Sequence, residues 1–135
     1  MSAPPSRRHL LQLAGAAAGT LWLPRSAWSQ PQRFADNPFA LGVASGSPTH
    51  DSVVLWTRLL QTGLFGPAAL GAAPVTVRWE VADDEGFTRI VRNGQAQALA
   101  ELAHSVHVEV PGLPSDRWYF YRFMAGDAVS PVGRT

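Results

Sequence analysis

Past the first thirty residues, the side chains best suited to chemistry are Ser45, His50, His104 and His107, and the run Asp83-Asp84-Glu85. Imidazoles bind transition metals and move protons near neutral pH, a serine next to a base becomes a nucleophile, and clustered carboxylates attract calcium. The spacing argues against each use. His104 and His107 stand three apart on a strand or its entry, so alternation sends them to opposite faces and away from a common metal. His50-Asp51 follows Pro48 in a turn, where Asp caps its own backbone. Ser45 lies in Gly42-Val-Ala-Ser-Gly46, which is neither the G-x-S-x-G of a nucleophile elbow nor followed by a helical pattern. Asp83-Asp84-Glu85 lacks the spaced ligands and closing Glu of a calcium loop and reads as an acidic turn. No G-x-G-x-x-G or Walker loop is present. The expectation is a chain with no catalytic residue, no cofactor site and no metal site of its own.

Composition narrows the field further. Cysteine is absent, so disulfides, thiolate nucleophiles and thiolate metal sites are excluded, a blue-copper centre among them. All 11 basic residues are Arg, against 10 Asp plus Glu. Arg7, Arg8 and Arg25 lie in the N-terminal leader described below, which leaves the remainder slightly acidic, with no electrostatic attraction to nucleic acid or anionic membrane.

The elements that would position these residues are strands. Phe39–Val43 reads as a short strand ended by Ser45-Gly46-Ser47-Pro48. Ser52–Arg58 is a second, with Val53, Leu55 and Thr57 on one face and Val54, Trp56 and Arg58 on the other. A Gly, Ala and Pro-rich stretch, 61–74, reads as a mobile surface loop. Val75, Val77, Trp79 and Val81 alternate with polar neighbours up to Ala82, which predicts a half-buried strand with Trp79 between two sheets. Residues 83–86 read as a turn, 87–91 as a short strand, and Asn93-Gly94 as a hairpin turn leading into 95–102. Alternation resumes over Ser105–Val110. Arg117–Met124 is so aromatic that both of its faces need cover. About seven or eight short strands without a helix predict an all-β antiparallel sandwich of the Ig or fibronectin type III-like kind. Val110-Pro-Gly-Leu-Pro114 followed by Tyr119 matches the corner of such sandwiches, where a Tyr hydroxyl bonds back to the corner's backbone.

The leader has its own logic. Ser6-Arg7-Arg8-His9 precedes an apolar run from Leu10 to Leu23, shorter than the roughly 20 residues of a spanning helix and therefore no stable membrane anchor. Small residues then lead to Ser29. This order predicts a signal peptide over 1–29 cut between Ser29 and Gln30, with Arg7 and Arg8 addressing the twin-arginine export machinery. The organisation expected is signal 1–29, linker 30–38 and sandwich 39–135, in the periplasm or secreted.

Several blocks together resemble the N-terminal portion of the PhoD-type alkaline phosphatases and phosphodiesterases: Phe39–Pro48 with its G-V-A-S-G-x-P core, Leu55-Trp-Thr-Arg58, Val77–Val81, Gly112-Leu113, Tyr119-Phe-Tyr-Arg-Phe123 and Ser130–Thr135. Ser47 departs from the Asp usual there. The resemblance implies that a metallophosphoesterase domain follows in the same protein, holding iron and calcium, and that phosphate esters meet the protein only through that domain. The competing reading is a stand-alone secreted module that grips a glycan or protein with Trp56 or Trp118.

Overall fold

The computed structural model describes residues 32–60, 62–63, 66–67 and 70–135. Ten strands are described: β1 (Val43–Gly46), β2 (Ser52–Arg58), β3 (Thr62–Gly63), β4 (Gly66–Pro67), β5 (Val75–Ala82), β6 (Ile90–Ala98), β7 (Ser105–Pro111), β8 (Phe120–Ala125), β9 (Ala128–Val129) and β10 (Gly133–Arg134). The helical element among the described residues is a single 3-10 turn, Ala100–Leu102.

All pairings are antiparallel. One sheet runs β1-β2-β7 and the other β10-β8-β5-β6, with β9 added beside β8. Their facing sides enclose one core. Val53 and Leu55 of β2 and Val106, Val108 and Val110 of β7 meet Val75, Val77 and Val81 of β5 and Tyr121, Phe123 and Ala125 of β8. This is the all-β antiparallel sandwich expected from alternation, because strands apolar on one side stay out of water only by stacking those sides. On β2 the buried set is Val53, Leu55 and Thr57, as expected. The buried Thr57 hydroxyl is satisfied by donating to the Gly42 carbonyl at 2.9 Å.

Four local expectations are corrected. Phe39–Leu41 form a turn closed by Gly42 N–H to Phe39 C=O, and the strand begins only at Val43. Asn93-Gly94 is not a turn. β6 runs straight through it, pairing Trp79 with Gly94 and Glu80 with Asn93. The chain reverses earlier, around Asp84, whose carboxylate accepts from Thr88 N–H, Thr88 Oγ1 and Arg89 N–H. Gly94 is needed for a different reason than turning: a Cβ there would stand 2.6 Å from Cζ2 of Trp79, so the indole lies across the bare backbone of β6. Trp79 is consequently half-buried at the open edge of the core rather than sealed between the sheets. Arg117 and Trp118 precede the last long strand instead of belonging to it, and both are exposed.

Two segments expected to be loose have defined contacts. The described part of 30–38 lies on the sandwich: Phe34 packs against the core, Asn37 donates to Val129 C=O, and Leu60 N–H bonds to Pro38 C=O. The 61–74 stretch contains the β3–β4 pair, and beyond it Leu70 reaches the core.

Candidate functional site

The residues singled out for chemistry are kept apart. His50 is exposed and faces Asp51 at 3.5 Å. His107 projects from the outer side of β7 with its ring 6.5 Å from that of Trp56. His104 sits after the 3-10 turn, where its Nδ1 faces the Ala98 carbonyl at 3.3 Å and its Nε2 the Gly71 carbonyl at 3.2 Å. That tie pins the far end of the 61–74 stretch to the core side of β6, a structural task. Asp83 pairs with Arg89 at 2.9 Å. Asp84 is occupied by the turn, and its hydrogen bond from the Thr88 backbone leads the causes that hold its carboxyl below the ordinary value of 3.8. Among the described residues no three His, Asp or Glu side chains converge.

Ser45 and Ser47 have structural positions. Ser45 lies on β1 near the hydroxyl of Tyr121, whose ionisation is pushed up by burial and only partly offset by the Ser45 side chain. Ser47 has φ +48°, the left-handed region that Asp and Asn tolerate better than other side chains. Ser47 adopts that backbone without an Asp or Asn side chain.

The corner is built as expected. Leu113 N–H bonds to Asp51 C=O and the Leu113 side chain is buried. Tyr119 turns back to donate from its hydroxyl to Pro114 C=O at 2.8 Å. Arg92, from the edge of the other sheet, donates to the carbonyls of Pro111 and Gly112, so the corner is clamped to both sheets. Its rigidity matters for what lies next to it. Tyr119 N–H and C=O pair with Thr135, which fixes β10 beside β8. Gly133 crosses the ring of Tyr121 so closely that a Cβ would overlap it.

On the outer side of this pair lies the most unusual surface of the described residues. Trp118 is 62 % exposed, and the Arg134 guanidinium stacks over its ring 4.3 Å from the centroid. Asp116, Arg117, Trp118 and Thr135 line a hollow of about 350 Å³ there. Further along the same face, Arg122 pairs with Glu80 at 2.8 Å and lies 4.1 Å from the centroid of Phe87. The sequence marks Trp118 as part of an aromatic segment and as an aromatic suited to a stand-alone module; its contact with Arg134 is not legible there, because it depends on how β10 pairs with β8.

The fold is a two-sheet antiparallel sandwich whose chemically capable side chains serve turns and ties, with an exposed Trp118 just ahead of β8. The chain belongs to the family described as "PhoD-like phosphatase, N-terminal domain", which it matches over residues 25–135. It is 47 % identical over 136 residues to alkaline phosphatase D of Bacillus subtilis (strain 168), covering 96 % of this chain and 23 % of that protein. A solved structure titled "Structure of PhoD" superposes with a TM-score of 0.71 at 52 % identity, covering 76 % of this chain and 20 % of that one. The chain thus spans less than a quarter of the length of these relatives. Among the described residues no helix is long and apolar enough to cross a membrane. Arg7, Arg8, Ser29 and Gln30 lie outside the described residues.

Proposed function

We propose that this chain is the exported, fibronectin type III-like N-terminal domain of a phosphate-scavenging alkaline phosphatase or phosphodiesterase. Catalysis then resides in a C-terminal metallophosphoesterase domain holding iron and calcium. The observation that carries this reading is the family match through Thr135, combined with side chains that do not converge on any donor set among the described residues. The order β1-β2-β7 against β6-β5-β8-β10, with the Tyr119 corner, supports the fibronectin type III-like part. Metal ions in the following domain would activate the attacking group and neutralise phosphoryl oxygens. The Arg7-Arg8 pair supports folded export to the periplasm, a route suited to a metal-loaded enzyme and of little use to a small cofactor-free sandwich.

The test is hydrolysis. Residues 30–135 supplied with iron and calcium should cleave neither phosphomonoesters nor phosphodiesters, and the same residues continued into the downstream frame should give metal-dependent turnover. Turnover by residues 30–135 that survives chelation and remetallation refutes the reading. Replacing Arg7 and Arg8 by Lys should retain the precursor in the cytoplasm, and exported protein should begin at Gln30; normal delivery of the double-Lys variant refutes the twin-arginine part. The exposed Trp118 is the one observation favouring a stand-alone binding module, and a stop codon directly after Thr135 would support that alternative.

A further inference from the structure

The aromatic run into β8 has apolar side chains on both faces, and the described residues cover them unequally. Tyr121, Phe123 and Ala125 are buried in the core. On the other side, Phe120 and Arg122 are half-buried, while Trp118 is 62 % exposed and Val132, two positions before Arg134, is 46 % exposed. An outward sandwich face in water is ordinarily polar. A central exposed Trp rimmed by Arg is the composition of an interface anchor, since Trp and Arg dominate binding hot spots.

We infer that this face, centred on Trp118 with Arg134, Val132 and the hollow beside Thr135, is the seat of the polypeptide that follows Thr135 in the full-length protein. This rests on the reading above, that a catalytic domain follows. Three features select that occupant over a second copy or a foreign ligand. The relatives are more than four times as long as the matched region, so a large following domain has to be accommodated. The chain emerges at Thr135, which itself lines the hollow with Trp118, so the continuation is tethered at the patch and meets it at high effective concentration. The exit is also rigid: the backbone pair of Thr135 with Tyr119, the Gly133 backbone laid on Tyr121 and the Arg134–Trp118 stack fix the direction in which the chain leaves. The complementary surface is apolar against the indole, with a carboxylate at its rim. Arg134 uses the face of its guanidinium on Trp118, and among the described residues its N–H edge has no hydrogen-bond partner, which leaves it for a bidentate pair.

The experiment is oxidative footprinting of the full-length protein, with phosphatase activity measured on the same sample. The rate at Trp118 is compared with its rate in the same protein unfolded in urea. A docked Trp118 should react several-fold more slowly folded than unfolded. A Trp118 reacting near its unfolded rate in an active enzyme overturns the docking and leaves the phosphatase reading standing. Protection of Trp118 in a correctly folded but inactive full-length protein supports the docking and counts against the phosphatase reading. Protection that disappears on dilution assigns the face to a second copy and overturns the inference. Trp118→Lys guards against a folding artefact: with the sandwich intact by near-ultraviolet circular dichroism, it should raise oxidation at Val132 and the downstream residues facing it, and unchanged footprints there also overturn the inference.

Discussion

Phe123 on the inner face of β8 is wholly removed from solvent among valines from both sheets, whereas Trp118, at the head of the outer face, keeps 62 % of its surface in water. The two side chains are both large aromatics five positions apart on one segment. Their difference teaches that an aromatic-rich strand does not say which of its rings stabilises the fold. The inner ring is held by packing from every side, and its removal leaves a cavity that rigid sheets cannot close. The outer ring is held by a single stacked guanidinium and is available for something else.

The contrast is broken or sharpened by substitutions measured as denaturant unfolding of residues 30–135. The largest effect is expected for Phe123→Ala, about 3–5 kcal/mol of destabilisation, the range for truncating a buried aromatic. A loss well under 1 kcal/mol would mean that β8 is faced the wrong way. Next is Gly133→Ala, where the new methyl group overlaps the Tyr121 ring and must push it or β10 aside. Overpacking of this kind costs about 1–3 kcal/mol, and the near-ultraviolet circular dichroism to which Tyr121 contributes should shift with it. Tyr119→Phe removes only the hydroxyl that reaches Pro114, for about 1 kcal/mol. Trp118→Ala should cost no more than about 0.5–1 kcal/mol, the worth of an exposed cation–π pair. A cost like that of Phe123 would place Trp118 in the fold's own core and remove the ground for a docking face.

The smallest effect separates the turn from both faces and concerns pH. Asp84 has its folded value below the ordinary 3.8, chiefly through the Thr88 backbone hydrogen bond. The unfolded chain therefore takes up the proton first as pH falls, so the contribution of Asp84 is complete above 3.8 and is lost below it. Unfolding curves of the protein and of Asp84→Asn should accordingly differ near neutral pH and converge in acid. Tyr121 gives the opposite limb. Burial raises its value above 10.0, so its contribution is complete below 10.0 and fades as alkali ionises the unfolded chain first. Tyr121→Phe should flatten that alkaline limb and leave the acid one untouched.

Much of this was legible in the chain itself, wherever a short-range rule has only one solution. Period-two alternation over Ser52–Arg58 and Ser105–Val110 specified both the strands and their buried faces, because a one-residue slip would turn valines out to water. The Pro111–Pro114 corner with Tyr119 was legible because its partners lie five residues apart. What only the tertiary structure decided involves pairs far apart in sequence. Asn93-Gly94 is a good local turn, yet the long-range pairing of β5 with β6 and the Trp79 indole across Gly94 outweigh that preference, and Asp84 turns the chain instead. The packing of 32–38 needed Val129, ninety-two positions from Asn37. The Arg134 stack on Trp118 needed β10 to lie beside β8. Local pattern determines which faces must be hidden; which element hides them, and which face stays open, is set by pairings between segments that the pattern of either one alone does not encode.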